Sequence, residues 1–391
     1  MKLSCLQENL HKGVSSVSRS VASRSQLPVL GNILISTDNG RLRLSATNLE
    51  TGMNQWIGAK VEKEGSFTVP SRVFLEFVSS LPKEKVELSL LENQLFVKSG
   101  GYEATFNGIP ASEFPPLPAF PEKPQVLFDP LLFSSAISRV SFSAATDEGR
   151  PILTGVLLKF SGKELTFVAT DGYRLSMVKI ENPNFLADKD KKENKETKII
   201  LPARSLFEVT RVIEESFSQD KEKKPGKAQT EKEDLAFALL SSGNQAMFSY
   251  SSCQIITQLI GGEFPAYEKI IPSSSSCSIT IPTEDLLKSV KMASIFARDS
   301  ANIIRFKIEK DKMIVSANTP QVGTNKSEID IKGEGDGEEI AFNSRYLLDF
   351  LNVVGSGEII FETSGALSPG VFKPASDGSY LHIIMPVRVQ S

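Results

Sequence analysis

Apolar residues recur every third or fourth position in three stretches of the chain, and each stretch is followed by runs in which apolar and polar residues alternate. Leu6, Leu10, Val14, Val17 and Val21 line one face of a first predicted helix. Phe133, Ile137, Val140 and Ala144 line a second, after Asp129-Pro130, an N-cap with proline at the first helical position. Leu286, Val290, Ala293 and Ala297 line a third, with Thr283 as its cap and Glu284 and Asp285 in the first turn, where the helix dipole favours negative charge. The alternating runs 42–46 (LRLSA), 165–169 (LTFVA) and 313–317 (MIVSA) read as strands, each ending before a Thr-Asn, Thr-Asp or Asn-Thr turn. A second, shorter helix is predicted after Val69-Pro70-Ser71, Leu201-Pro202-Ala203 and Phe342-Asn343-Ser344.

These elements repeat in order. The PVLGNILI segment from Pro28 returns as PILTGVLLKF from Pro151, 123 residues later, and more weakly as ANIIRFKI from Ala301. A solenoid repeat runs roughly 20–50 residues, so this period is the size of a domain. The prediction is three copies of one domain, 1–124, 125–275 and 276–391, joined where proline clusters at 114–124 and 264–276. Helices mixed with antiparallel strands, without strict βα alternation, give an α+β class. Each unit is expected to be a sheet with two helices packed on one face. Two mixed-charge stretches, 188–197 and 218–234, read as solvated loops inserted in the middle unit.

Composition narrows the function. A 40% hydrophobic and 23% charged chain of 391 residues suits a globular protein, and a net charge of −3 announces no nucleic-acid partner, although a basic surface can sit opposite an acidic one. Cys5, Cys253 and Cys277 lie far apart and outside any CxxC pair, which excludes a disulfide framework and a cysteine-rich zinc site and fits a reducing, cytoplasmic setting. His11 and His382 are the only histidines, and neither sits in a metal or triad motif. The N-terminus lacks the apolar run of a signal peptide, and no 18-residue apolar window exists. Phosphate-loop and dinucleotide fingerprints are absent, and the Gly333–Glu339 segment lacks the spaced ligands of a calcium loop. The expectation is a protein without catalysis, cofactor or metal.

Two local features stand out. In VATDGYRLSM, Asp171, Tyr173 and Arg174 follow a strand through an Asp-Gly hairpin turn, whereas the first repeat has the same turn without Tyr-Arg. A salt-bridged hairpin is one reading. The specialisation of the middle copy favours a functional site from Thr170 to Leu175, which leaves room for an enzyme built on Asp171, Tyr173 and Arg174 as well as for a binding module. The other feature is apolar: Ile383, Ile384, Met385 and Val387 close the chain, where polarity is expected. They are either a last strand or an adaptable patch for a partner segment.

With these elements placed, the chain resembles the bacterial DNA polymerase III beta subunit family, the sliding clamps. The likeness rests on LPVLGNILI, VPSRVFLEFVSSLP, IPASEFPPLP, VATDGYRL, LPARSLFEV, GGEFPAYEKIIP, ASIFARDSANIIRF and MPVRV, in that order over nearly the whole length. It implies a head-to-tail homodimer, a ring of six similar domains with sheets outside and helices lining a hole for double-stranded DNA. Its partners would be DNA, held without reading sequence, and the replicative polymerase, clamp loader and repair proteins, which share a short linear peptide. The resemblance places DNA contacts at Arg24, Arg72, Arg150 and Arg204. It places the peptide pocket at Leu153, Thr170, Gly172, Tyr173, Arg174, Leu175, Pro265, Lys269, Ile270, Ile383, Ile384, Met385, Pro386, Val387 and Arg388. Tyr173 stands where the family often has histidine, and Lys269 where it has arginine. At the joint between chains, Ala104 and Phe106 would meet Ile295 and Phe296 of the other copy. Cations on the predicted helices (Lys12, Arg19, Arg139, Arg211, Lys288, Lys291, Arg298 and Arg345) would form a diffuse basic lining that lets DNA slide.

Overall fold

The computed structural model describes residues 1–22, 26–147, 149–181, 196–222, 233–240, 243–335 and 337–388. Among the described residues there are six α-helices: α1 (Gln7–Ser18), α2 (Ser71–Ser80), α3 (Pro130–Val140), α4 (Ala203–Glu222), α5 (Thr283–Ala297) and α6 (Ser344–Val353). The central part of each predicted apolar stripe is a helix face: Leu10, Val14 and Val17, then Phe133, Ile137 and Val140, then Leu286, Val290, Ala293 and Ala297 are all sealed from solvent, whereas Val21 and Ala144 lie beyond the ends of α1 and α3. Each of the sealed Val, Leu, Ile and Phe side chains among them contributes roughly 1.5–3 kcal/mol of burial, and each alanine methyl less. α1 can lie close to its sheet because Gly13 has no side chain, since a Cβ there would stand 2.8 Å from Leu44 Cδ1.

The ends of the helices depart from expectation. Every repeat opens with a strand, not a helix: Lys2–Leu6, Val126–Phe128 and Cys277–Pro282. Leu6 therefore belongs to a strand, and its side chain is exposed. Thr283 is buried inside the first turn of α5, and the cap position is Pro282, with no side-chain hydrogen bond. The Lys312–Thr319 strand runs through the predicted Asn-Thr turn. In the middle repeat the second helix is the longer one, because α4 continues through Glu222 and takes in the start of the charged stretch predicted as a loop. The rest of that stretch up to 232, and residues 188–195, lie outside the described residues.

The larger correction concerns the sheets. All strand pairs are antiparallel, and each repeat divides its strands between two sheets. The first repeat supplies a five-stranded sheet in the order Lys60–Lys63, Lys2–Leu6, Lys85–Leu91, Gln94–Ser99, Tyr102–Asn107. Its other strands, Thr51–Ile57, Arg41–Thr47, Asn32–Asp38 and Ser66–Pro70, continue an eight-stranded sheet begun by Val126–Phe128, Leu235–Leu239, Gln245–Tyr250 and Cys253–Gln258. The seam pairs Ile255 with Met53. A nine-stranded sheet likewise joins Thr197–Pro202, Gly155–Ser161, Glu164–Thr170 and Arg174–Glu181 to Tyr380–Ile384, Gly370–Pro374, Glu358–Thr363, Cys277–Pro282 and Lys332–Glu334. Here the seam pairs Leu175 with Ile383. A four-stranded sheet, Gly323–Asp330, Lys312–Thr319, Ile303–Glu309 and Glu339–Asn343, completes the third repeat.

The described residues form two compact bodies, one of 1–130 and 208–259 and the other of 131–181, 196–207 and 260–388. In the first, α1 packs on α2 and on the Thr51–Ile57 strand, and Phe217 of α4 stacks on Tyr250. In the second, Phe133 of α3 meets Phe167 edge-on, α5 packs on α6 and on the four-stranded sheet, and Phe350 of α6 stacks on His382 at 4.8 Å.

Candidate functional site

The Thr170–Leu175 turn is built by its own side chains. Gly172 has φ +90°, a region that favours glycine, and its N–H donates to Thr170 Oγ1 at 3.0 Å. The Thr170 hydroxyl donates to the Arg174 carbonyl at 2.6 Å. Asp171 Oδ1 accepts the backbone N–H groups of Tyr173 and Arg174 at 2.9 and 3.0 Å, an Asx turn. Its Oδ2 accepts Arg174 Nε at 3.0 Å. The Arg174 guanidinium also donates to Asp349 Oδ2 and to the Phe142 carbonyl, and lies over the rings of Tyr346 and Phe142, 4.6 and 5.4 Å from their centroids. Only 10% of that side chain is exposed. Asp171 and Arg174 are thus committed to holding the turn, and Tyr173 is left 58% exposed at its tip.

Strand alternation sorts the remaining candidates by face. Thr170 pairs with Leu175, and Leu175 with Ile383, so these three share one face. The Met385 N–H donates to the Tyr173 carbonyl at 2.8 Å, which extends the ladder by one residue on each strand and puts Tyr173 and Met385 at the end of that face. Arg174 pairs with Ile384 on the opposite face, which is buried against α6 and the Ser141–Ser143 turn. Leu175 and Ile383 belong to an apolar cluster with Leu157, Val168, Ile200, Tyr267, Val371 and Leu381, against which Ile152, Ile270 and Ile271 pack. Pro265 and Lys269 are exposed around the Tyr267–Lys269 turn that lies on this cluster. Leu153 is nearly buried, and its N–H donates to the Arg150 carbonyl. Met385, Pro386 and Val387 are partly exposed and Arg388 fully so; the Val387 N–H donates to the Ala341 carbonyl and lays the tail along the Glu339–Asn343 strand. The result is an apolar cluster bordered by exposed Tyr173 and Lys269 and partly exposed Met385. Tyr346, Asp349 and Phe142, which anchor its turn, escaped the sequence reading. Tyr346 and Asp349 are three apart on α6, but nothing in the chain says which strand that helix covers.

The cations fall into two groups. Arg19 is neutralised, because its Nε and Nη1 donate to Glu208 at 2.6 Å and Glu215 at 3.1 Å. Arg139 pairs with Asp377 at 2.6 Å and lies over the Tyr380 ring. Neither serves as a loose phosphate contact. Arg72, with its side chain 90% exposed, pairs with Glu76 one turn on, at 3.2 Å. Arg204, Lys12, Lys288, Lys291, Arg298 and Arg345 are exposed on helices or at their ends. Arg150 is exposed yet not idle: its Nη2 donates to the Asp171 carbonyl at 3.0 Å, so it lies over the turn that carries Tyr173. Arg24 lies outside the described residues.

The residues predicted at the chain–chain joint also differ among themselves. Ala104 and Phe106 lie on the Tyr102–Asn107 strand, the outermost of its sheet. Phe106 is already buried, edge-on to Phe74 and Phe77 at 5.3 and 5.5 Å. Exposed Val73 of α2, unmarked by sequence reasoning, is one position from Phe74. In the other body, Ile295 is 52% exposed on α5, with partly exposed Phe296 and exposed Met292 beside it. α5 packs on the Gly323–Asp330 strand, again the outermost of its sheet.

Among the described residues, burial disarms the three cysteines and His382. Burial pushes the Cys5 and Cys253 thiols up to about 12 and Cys277 up to about 11, so each stays protonated at neutral pH. His382 is fully buried, with Nδ1 2.8 Å from Ser176 Oγ, and burial, with Arg174 nearby, holds its pKa well below the ordinary value. Among the described residues no group of three or more His, Cys, Asp and Glu is placed to hold a metal, and no helix is long and apolar enough to cross a membrane.

Comparison with known proteins gives one answer along the whole chain. Residues 1–118, 128–266 and 268–388 match, in order, the family models described as the N-terminal, central and C-terminal domains of the DNA polymerase III beta subunit. The beta sliding clamp of Synechococcus elongatus is 30% identical over 399 residues, and that of a Synechocystis strain 28% identical over 406, each match covering 100% of both chains. The solved structure of the Bacillus subtilis DNA polymerase sliding clamp aligns with a TM-score of 0.86 at 26% identity, over 100% of both chains. A three-domain α+β architecture with end-to-end similarity to those proteins places the chain in the DNA polymerase III beta subunit family, the beta sliding clamps.

Proposed function

We propose that two copies of this clamp join head to tail into a ring around duplex DNA, and that the apolar cluster bordered by Tyr173 and Met385 captures a short peptide shared by the proteins that work on that DNA. The clamp is a processivity factor without catalysis of its own. Three domains, approximately 1–124, 125–275 and 276–391, would repeat along each half of the ring. The observation that carries the reading is the pair of outermost strands, Tyr102–Asn107 in the first repeat and Gly323–Asp330 in the third, each beside an apolar patch. An uncovered strand edge templates pairing with another chain. First-to-third-repeat pairing is heterologous, the contact from which rings are made. Exposed Arg72 and Arg204, with Arg150 and Arg24, would meet phosphates and read no bases.

The pocket reading is supported by chemistry on one face: Leu153, Thr170, Leu175, Ile270 and Ile383 as floor and walls, Tyr173, Gly172, Pro265, Lys269, Met385, Pro386, Val387 and Arg388 around them, with Arg174 and Ile384 fixing the strands from behind. Rigid aromatic and flexible Met side chains around an apolar floor suit short peptides of varied sequence. The test is topological. Loaded onto nicked circular DNA, the protein should stay through gel filtration at moderate salt, and linearising the DNA should release it. Equal retention on both forms refutes enclosure.

A further inference from the structure

The floor of the peptide pocket does not stop at Ile383. Across the nine-stranded sheet, Thr170, Leu175, Ile383, Val371 and Glu362 pair in succession and form one cross-strand row. The neighbouring row on the same face runs through Val168, Met177 and Leu381 and reaches Lys373, which pairs with Ile360. The far ends of both rows floor a separate groove of about 230 Å³. It is lined by Val371, Leu381, Glu362 and Lys373, walled by Ile271 and the Ser273–Ser275 run, and closed by Thr363 and Ser364. Val371 and Leu381 belong to the same apolar cluster as Leu175 and Ile383, with Ile271 packed against it. Neither the family resemblance nor the sequence motifs marked this groove.

We infer that the groove is a second subsite for the same partner peptides, taking an aliphatic side chain from the residues that adjoin the pocket-bound motif. The inference rests on the pocket reading. Strands lie about 4.8 Å apart, so Ile383 to Glu362, two strands on, is about 10 Å, a distance that three extended residues at about 3.3 Å each cover. Ile271, Val371 and Leu381 offer the side chain an apolar bed. The serine run and Thr363 border it with hydroxyl and backbone groups that can bond an extended main chain. Lys373 and Glu362 neutralise one another at 2.6 Å, so the subsite selects shape over charge. The Ser274 carbonyl accepts the Ser364 hydroxyl at 3.0 Å, which fixes the wall.

The experiment uses the full-length protein and the clamp-binding segment of the replicative polymerase from the same organism. The segment is synthesised as a core peptide and with its three natural flanking residues added at one end or the other. Fluorescence anisotropy should show one extended peptide binding about tenfold tighter than the core. In Ser274→Trp, whose indole fills the groove, that advantage should vanish while core affinity stays within twofold. Equal affinity of core and both extended peptides on the native protein overturns the subsite, as does an advantage that survives in Ser274→Trp. A core peptide that fails to bind at all overturns the pocket reading, and the subsite with it.

Discussion

Replacing Arg174 by alanine tests whether this side chain is structural support or a contact surface. The loss can be worked through partner by partner. The Phe142 carbonyl loses its charged donor, which costs about 1–3 kcal/mol where no water replaces it. Two cation–π interactions vanish, with Tyr346 and Phe142, at roughly 0.5–1 kcal/mol each. The bond to Asp349 counts for at most about 1 kcal/mol, because that carboxylate is half exposed. Asp171 suffers less than a buried ion pair usually does, since it keeps the N–H groups of residues 173 and 174. The sum is roughly 2–6 kcal/mol, and at about 2–4 °C per kcal/mol the melting temperature should fall by roughly 4–24 °C. Urea denaturation followed by near-ultraviolet circular dichroism measures it directly. Arg174→Lys keeps one charge but not the planar fork, and should recover less than half of the loss. Met385→Ala, partly exposed beyond the last strand, should change stability by under about 1 kcal/mol and still weaken peptide binding. If Arg174→Ala unfolds within about 1 kcal/mol of the native protein, the guanidinium is not what holds the turn.

Other consequences follow from the same geometry. Ile295→Asp should yield folded monomers by native mass spectrometry, whereas Phe106→Asp should also lose stability, because it buries a charge beneath Phe74 and Phe77; well-folded dimers of Ile295→Asp would exclude that patch from the joint. Unfolded chain takes up a proton on residue 382 below about pH 6.5 that the folded chain refuses, so stability should fall with acidification by up to about 1.4 kcal/mol per pH unit. His382→Asn should flatten that part of the profile, and an unchanged slope would show that the buried imidazole is not its source. Arg72→Ala with Arg204→Ala should lower the magnitude of the salt slope of duplex binding by roughly 0.9 for each phosphate no longer neutralised; an unchanged slope would place the DNA elsewhere.

What the sequence disclosed and what it hid divide along a physical line. The stripe Leu286, Val290, Ala293 and Ala297 is a local signal, because a helix face is set by residues three and four apart, and the structure seals all four. Val126–Phe128 is three residues long, too short for alternation to register. Leu6 is four residues before Leu10 and so mimics a helical position while belonging to a strand. Arg19 reads as a free cation until α4 brings Glu208 to it from 189 residues away. The same limit hid Tyr346. The turn at Asp171-Gly172 was legible because its chemistry is local. The two faces of the strands beside it were legible in principle, since alternation alone separates Arg174 from Leu175 and Ile384 from Ile383.

The division of every repeat between two sheets bears directly on the proposed pairing of two copies. A seam forms wherever one repeat's strands meet the next: Cys253–Gln258 on Thr51–Ile57, and Tyr380–Ile384 on Arg174–Glu181. Two half-complements remain, the five-stranded sheet of the first repeat and the four-stranded sheet of the third. Their ends are not equally reactive. Lys60–Lys63 is short and lysine-flanked, a protected edge, and Glu339–Asn343 is covered by the tail through Val387. That leaves Tyr102–Asn107 and Gly323–Asp330, one for each missing seam partner. Pairing them between copies adds a seam of the kind already present twice, so the joint between chains should be similar to the joints within one. A heterologous contact of this sort closes if the rotation per repeat divides a full turn and otherwise grows into a filament. Sedimentation velocity over a hundredfold concentration range separates the two outcomes. A species of two chains with nothing larger is expected, and polymers that lengthen with concentration would refute closure while leaving the strand pairing intact.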